Sequence, residues 1–250
     1  MLLVADVHGA FDALESVARR GEPLLVLGDL INFVDYRTLD GIVVDIMGVP
    51  FVERIVELRN AGDFQAARHV WEEHAEGRES ELRAEYDRRI EASYERMGRA
   101  LGDAEAYVTY GNVDRPDSLR RHLPPGARFV DGEVVEIEGL RVGFAGGGMP
   151  SIGVPGEVSH EAMAEKLEGI GPVDVLCTHV APAIRQLSND VIGGRPKQSQ
   201  AVLEYLQRHR PSWHYFGDIH QPQATTWRVG ETTCVNVGYF RATARPIRHG

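Results

Sequence analysis

One short stretch, Leu24-Leu25-Val26-Leu27-Gly28-Asp29, decides how the rest of the chain is interpreted. Four apolar residues followed by a glycine and an acid are typical of a buried strand of a parallel sheet. In open α/β sheets, ligands bind beyond the carboxyl ends of the strands, and Asp29 follows such an end. Gly28 lacks a side chain where the backbone turns. The stretch predicts an α/β fold, in which Asp29 is either a ligand-binding acid or an acid that only caps the next turn.

The start of the chain repeats this arrangement. The apolar run Leu2–Ala5 ends in Asp6-Val7-His8-Gly9. Residues two apart on a strand point to the same side, so Asp6 and His8 face the same way. A helix predicted over residues 10–20 connects this strand to the next one in a βαβ unit. The unit brings the two acidic strand ends side by side.

Three later strands also end in polar side chains. Residues 106–110 lead to Gly111-Asn112-Val113-Asp114, residues 173–177 lead to Thr178-His179, and residues 213–216 lead to Gly217-Asp218-Ile219-His220. Five strand ends therefore deliver seven potential ligands: Asp6, His8, Asp29, Asn112, His179, Asp218 and His220. Imidazole, carboxylate and amide donors together suit iron, manganese, zinc or cobalt better than calcium or magnesium alone. Two such ions roughly 3.5–4 Å apart can hold one hydroxide and clamp a phosphoryl group for in-line attack.

A segment from about residue 35 to residue 105 has a different character. An Asp-rich loop over residues 32–45 leads to helices predicted over 51–61, 64–76 and 80–101. The last helix carries an apolar stripe: Leu82, Tyr86, Ile90, Tyr94, Met97 and Leu101. We expect a helical insertion in a single domain that spans residues 1–250. The stripe could pack within the insertion or on the domain, or serve a partner or a homo-oligomer.

The remaining chain predicts short elements joined by turns. The sequence predicts a hairpin over 134–137 and 140–145, helices over 160–167 and 199–208, and a second hairpin over 225–229 and 232–237. A Gly-Pro loop over 190–197 carries the cations Arg195 and Lys197, and the last dozen residues are expected to form a tail.

Composition excludes several classes of function. A net charge of -10 argues against binding a long nucleic acid, but it permits a small phosphorylated substrate because bound metal ions can supply positive charge. Cys177 and Cys234 form no C-x-x-C pair, so we expect two buried free thiols, with a disulfide as the alternative. The start lacks a signal-peptide pattern, and no apolar stretch approaches 18 residues. We therefore expect a cytoplasmic protein that does not span a membrane.

The polar strand ends, taken in order, resemble the motifs of the calcineurin-like metallophosphoesterases. The family pattern is Asp-x-His, Gly-Asp, Gly-Asn-His-Asp/Glu, a lone His and Gly-His-x-His. The matching segments span residues 6 to 220, in the family's order. The resemblance implies a four-layer α/β/β/α sandwich of two mixed sheets, with metal ions at the sheet edges. The helical insertion has no counterpart that we can assign.

The resemblance also implies a role for each matching residue. Asp6, His8 and His220 would hold the first of two divalent ions. Asn112 and His179 would hold the second, and Asp29 would bridge both. Asn112 and Asp114 belong to the catalytic motif, and the expected contacts to substrate come from Asn112, Arg115 and Arg195. Among manganese, iron and zinc, we favour manganese.

Two departures from the family pattern bear on activity. Val113 stands where many members have a histidine that protonates the leaving group, which a valine cannot do. Subfamilies with a small residue there are often phosphodiesterases, so we expect a phosphodiester to be hydrolysed by a metal-bridged hydroxide. Asp218 stands where the family has a histidine ligand of the second metal; it can ligate through oxygen and favours harder ions. If Asp218 does not reach the metal, the second site is weak.

A second hypothesis is a non-catalytic, metal-binding interaction protein that keeps the fold. Val113, Asp218 and the large insertion favour it. Six intact convergent ligands argue against it, because a scaffold has little physical need for them: Asp6, His8, Asp29, Asn112, His179 and His220.

Overall fold

The structure, a computed structural model, describes residues 1–150, 153–191 and 196–250. Its strands are β1 Leu2–Val4, β2 Leu24–Leu27, β3 Ala106–Thr109, β4 Ala127–Phe129, β5 Glu133–Ile137, β6 Leu140–Ala145, β7 Val175–Thr178, β8 Trp213–Phe216, β9 Thr226–Val229, β10 Thr232–Asn236 and β11 Ile247–Arg248. Its helices are α1 Phe11–Ala18, α2 Ile42–Met47, α3 Val49–Asn60, α4 Phe64–Ala75, α5 Glu79–Leu101, α6 Pro116–Arg121, α7 His160–Ile170, α8 Arg185–Ser188, α9 Gln200–His209 and α10 Phe240–Thr243.

The chain forms two compact units, and the strands belong to the first. This unit comprises residues 1–30 and 96–250. One sheet has the order β11-β1-β2-β3-β4, with β1 to β4 parallel and β11 antiparallel at the edge. The other has the order β5-β6-β7-β8-β10-β9, with β6, β7, β8 and β10 parallel and antiparallel strands at both edges. Both sheets are therefore mixed.

Apolar side chains fill the space between the two sheets. Leu3 and Leu25 of the first sheet lie in one cluster with Phe144 and Tyr215 of the second. The opposite face of the second sheet is covered by helices α7 and α9, whose apolar residues form another cluster that includes Phe216. Alternate residues of a strand point to opposite faces, so each strand of the second sheet contributes to both clusters. The predicted sandwich of two mixed sheets flanked by helices is confirmed.

The second compact unit comprises residues 31–95 and is helical. Its core contains Val43, Val52, Ile55 and Leu82. The three longer helices of the insertion lie within a few residues of their predicted bounds. Helix α2, in contrast, lies where the sequence predicted an Asp-rich loop, because its apolar residues at helical spacing are buried in this core.

The C-terminus is not the tail that the sequence predicted. Phe240 in α10 is fully buried, and β11 pairs antiparallel with β1, with Leu2 opposite Arg248. A strand of two residues leaves no periodicity to recognise, which is why the sequence did not reveal it. The two cysteines are free and buried, which confirms the expected thiols. Among the described helices, none is both long enough and apolar enough to cross a membrane.

Candidate metal centre

The parallel strands bring the seven predicted ligands to one place. Strands β1, β2 and β3 are neighbours in the first sheet, and β7 and β8 are neighbours in the second. Because neighbouring parallel strands end at the same edge, the loops that follow them converge. Two groups of residues each place their ligand atoms within 4.8 Å of one another. One group is Asp6, His8 and His220, and the other is Asp6, Asp29 and His179. Both groups contain Asp6.

The first half of the centre contains Asp6 and two histidines. The Nε2 atoms of His8 and His220 are 3.2 Å apart, and His220 Nε2 lies 3.9 Å from Asp6 Oδ1. Asp29 adjoins this half, since its Oδ2 lies 3.6 Å from His8 Nε2.

The second half of the centre is arranged around His179. Its Nε2 lies 3.5 Å from Asp29 Oδ1, 3.4 Å from Asn112 Oδ1 and 3.9 Å from Asp218 Oδ1. The two oxygens of Asp29 thus face different halves, through His8 and His179. This is the position in which a bridging carboxylate would stand.

Neighbouring groups fix the orientation of the histidine rings. His179 Nδ1 donates to the carbonyl oxygen of Leu27 at 2.8 Å, which leaves Nε2 directed at the carboxylates. The His220 ring stacks on Tyr239, with centroids 4.1 Å apart and an interplanar angle of 8°. His8 meets the same tyrosine ring edge-on at 5.9 Å. The sequence analysis did not identify Tyr239, which lies shortly after the end of β10.

The backbone at the strand ends adopts rare conformations. Four site residues have left-handed φ values: 56° at Asp6, 41° at His8, 53° at Asp29 and 66° at Asp218. Such conformations cost free energy in residues other than glycine, and they cluster at functional sites. Gly28 has a φ of +89°, and a Cβ there would lie 2.4 Å from the Gly111 nitrogen. The absence of a side chain at Gly28 therefore permits both the turn and the close approach of the loop that carries Asn112.

The Asp6 carboxylate is buried with only part of its hydrogen-bonding capacity used. It is fully buried, and its Oδ2 has no hydrogen-bond partner in the part of the chain that the structure describes. Burial raises the pKa of Asp6 above its ordinary value; His220 and His179 oppose this rise, and the carboxylates of Asp29 and Asp218 add to it. A buried carboxylate oxygen without a partner is costly unless a cation binds there, so the donor set fits a divalent metal ion.

The other charges of the centre compensate one another. Burial alone would raise the pKa of Asp29, but His179, His8 and Lys197 together hold it below its ordinary value. Burial likewise opposes the charged form of His179, yet Asp29, Asp218 and Asp6 raise its pKa to about 9. His179 is then protonated at neutral pH without metal, and metal binding releases that proton.

Asp114 is turned towards the backbone. It is fully buried, and its carboxylate accepts hydrogen bonds from the N–H groups of Gly111 at 2.9 Å and Leu30 at 3.1 Å. Burial raises its pKa to about 6. These bonds tie the loop that carries Asn112 to the loop that follows Asp29. They give Asp114 a positioning role, and its predicted part in the chemistry stays a prediction.

Besides Asn112, two residues are expected to contact substrate, and the structure describes one of them. Arg115 is partly buried at the start of α6, directly after the Asn112 motif. Arg195 lies outside the described residues. The Val113 N–H donates to Asp29 Oδ1 at 3.1 Å, so the backbone at this position supports the centre although the side chain cannot act as an acid. Lys197, one of the two cations of the Gly-Pro loop, donates from Nζ to Asp218 Oδ1 at 2.5 Å.

Comparison with known proteins identifies the fold. No family model matches the sequence, and no curated protein is significantly similar to it. Among solved structures, 33 chains match. One has a TM-score of 0.58 at 17% identity, covering 96% of this chain and 90% of that chain. Another, the crystal structure of TT1561 of Thermus thermophilus, has a TM-score of 0.55 at 12% identity, covering 98% of this chain and 96% of that chain. At these identities the likeness concerns the fold alone, and the chain has a metallophosphoesterase-like fold.

Proposed function

We propose that the protein is a metal-dependent phosphoesterase that prefers phosphodiesters to phosphomonoesters. One observation supports this above all others. A fully buried carboxylate oxygen, Asp6 Oδ2, lacks a partner among the described residues and belongs to a carboxylate shared by two groups of converging donor atoms. A fold that had lost its metal chemistry would gain stability by replacing such a group.

The donors offer two positions for divalent ions. Asp6, His8 and His220 would hold one ion, and Asn112 and His179 would contribute to the other, with Asp29 between them. We favour manganese, because oxygen donors make up much of the set. When bound, such an ion supplies Lewis acidity and lowers the pKa of a coordinated water towards neutrality.

The chain's own residues position the substrate. The Asn112 side chain carries an amide N–H₂ group, which can donate to a phosphoryl oxygen and stabilise charge that develops there. Arg115 stands next to this motif and is the nearest described candidate in sequence for a second phosphate contact. A net charge of -10 disfavours long polyanions, so we propose a small phosphorylated substrate.

Val113 supports the preference for phosphodiesters with good leaving groups. A histidine at this position could protonate the departing oxygen, whereas a valine has no proton to give. Substrates whose leaving group is already acidic need no such donation. Activity on esters of ordinary alcohols therefore requires a proton from water or from another residue.

Turnover of aryl esters tests this proposal. Protein stripped with a chelator and reloaded with Mn²⁺ is assayed on p-nitrophenyl phosphate and on bis(p-nitrophenyl) phosphate. We expect hydrolysis that depends on metal and is faster on the diester. Metal bound in stoichiometric amount without hydrolysis of either ester would contradict the proposal and favour the non-catalytic interaction protein.

A further inference from the structure

Lys197 reaches the centre from a loop that follows none of the five strand ends. Its Nζ lies 2.5 Å from Asp218 Oδ1 and 3.3 Å from the Asp218 carbonyl oxygen. The Asp218 side chain is 2% exposed, whereas the Lys197 side chain is 50% exposed. The backbone N–H of Lys197 donates to the Ser188 carbonyl at 3.1 Å, which anchors the residue beside the centre. The lysine therefore extends from the surface onto a buried carboxylate.

Lys197 contacts the Asp218 oxygen that faces His179. Asp218 Oδ1 is also the atom that lies 3.9 Å from His179 Nε2. A metal ion binds a carboxylate oxygen at roughly 2.0–2.2 Å. An ion shared by Asp218 and His179 would thus bind the oxygen that already accepts from the ammonium group. Because two cations on one carboxylate repel each other, the Lys197 ammonium group lowers the affinity of Asp218 for a metal ion.

The described residues compensate the buried carboxylates of the centre unevenly. Asp218 is paired with the Lys197 ammonium group. The carboxylate oxygen without a described partner belongs to Asp6, not to Asp218. The remaining need for a cation therefore lies at Asp6, which forms one group with His8 and His220 and another with Asp29 and His179. The Lys197 charge on Asp218 opposes an ion beside His179, so we assign the ion to the group with His8 and His220.

We propose that the Lys197 ammonium takes the place of a second divalent ion on Asp218, so that the centre loads one ion, in the half formed by Asp6, His8 and His220. This inference rests on the proposed function, because it takes the cluster to be a metal centre. It makes Lys197 a positioning residue that fixes a positive charge beside the single ion.

Metal stoichiometry tests the inference without relying on activity. Chelator-stripped protein is equilibrated with excess Mn²⁺, freed of unbound metal, and analysed by native mass spectrometry and elemental analysis. We expect one ion per chain in the natural protein and two in Lys197→Met, because the substitution frees Asp218. The matched control is Lys166→Met, which removes the only other lysine, paired with Asp131 at 2.8 Å, and should leave one ion.

A second variant covers the case in which Lys197→Met fails to fold. Asp218→Asn removes the negative charge that the lysine neutralises, and we expect it to retain one ion. Loss of an ion in Asp218→Asn relative to the natural protein would make Asp218 a metal ligand and overturn the inference.

The other outcomes separate the inference from the proposed function. Two ions in the natural protein, or one ion in both the natural protein and folded Lys197→Met, would overturn the role of Lys197 and leave the metal centre intact. No ion in the natural protein would overturn both. Hydrolysis of bis(p-nitrophenyl) phosphate, measured on the same samples, reports on the proposed function separately.

Discussion

The two halves of the centre compensate their negative charge in different ways. Asp6, whose Oδ1 lies 3.9 Å from His220 Nε2 in the first half, keeps its other oxygen buried without a partner among the described residues. In the second half, Asp218 is paired with Lys197 at 2.5 Å. The chain thus supplies a cation to one half and leaves the other to be neutralised from outside. This difference is the basis of our proposal that the first half is the one that takes a metal ion.

The halves also differ in how their ligands are held. In the second half, backbone hydrogen bonds dominate: His179 donates to the Leu27 carbonyl, and Asp114 accepts from two N–H groups near Asn112. In the first half, Asp6 Oδ1 accepts from the Asp218 N–H at 3.1 Å, and the aromatic ring of Tyr239 supports His220. A substitution can therefore disturb one half while sparing the other.

Asp29→Asn should have the largest effect, because Asp29 faces both halves. The amide preserves size but removes the negative charge offered to His8 and His179. We expect kcat/KM on the aryl diester to fall about a thousandfold, the scale of removing a principal electrostatic group from an active site. Asp12→Asn on the exposed side of α1 is the control and should leave kcat/KM unchanged. Equal activity of Asp29→Asn and the natural protein would contradict the proposed function.

Asp114→Ala should weaken the second half through the backbone. The Gly111 and Leu30 N–H groups lose a buried acceptor, so we expect the free energy of unfolding to fall by about 2–3 kcal/mol, measured by denaturant titration. Asp114→Asn retains one acceptor oxygen and should cost less. Metal binding in the folded variant should persist, since the first half keeps its ligands. Equal stability of Asp114→Ala and the natural protein would show that these bonds do not hold the loop.

Tyr239→Ala should weaken the first half alone. Without the stacked ring, His220 is less well oriented, and we expect the Kd for Mn²⁺ to rise about tenfold, as is usual when support for a metal ligand is removed. Tyr239→Phe keeps the ring and should bind Mn²⁺ as the natural protein does. Calorimetric titration measures both variants. If the two variants weaken binding equally, the hydroxyl group rather than the stacking is what matters.

Val113→His should have the smallest and most selective effect. An imidazole beside Asn112 could protonate a poor leaving group, a step that contributes at most a few orders of magnitude when well positioned. We expect about a tenfold gain in kcat on an alkyl phosphomonoester and little change on bis(p-nitrophenyl) phosphate. Val113→Leu, the control, should gain nothing on either substrate. A gain on both substrates alike would point to a cause other than proton donation.

The sequence predicted the parts of the centre that follow parallel strands. Asp6, Asp29 and His179 each follow a short apolar run, and the topology of parallel sheets fixes where such residues meet. Contacts that depend on loops were beyond this reasoning. Lys197 lies 21 residues before Asp218 in a loop without periodicity, and its contact with that carboxylate depends on tertiary structure. Tyr239 follows a turn whose direction no local pattern specifies.

Binding of Mn²⁺ tests most directly whether these buried carboxylates form a metal centre. The measurement is the unfolding midpoint Tm of chelator-stripped protein as Mn²⁺ is added, for the natural protein and for Asp6→Asn. Binding to the folded state alone stabilises it by about 2.7 kcal/mol at a hundred times Kd, so the Tm of the natural protein should rise with Mn²⁺ concentration. Asp6→Asn should lose this rise and, without metal, should unfold at a higher temperature than the stripped natural protein, because it lacks a buried uncompensated charge. The account would be contradicted if the Tm of the natural protein did not change with Mn²⁺ concentration. It would also be contradicted if Mn²⁺ raised the Tm of Asp6→Asn as much as that of the natural protein.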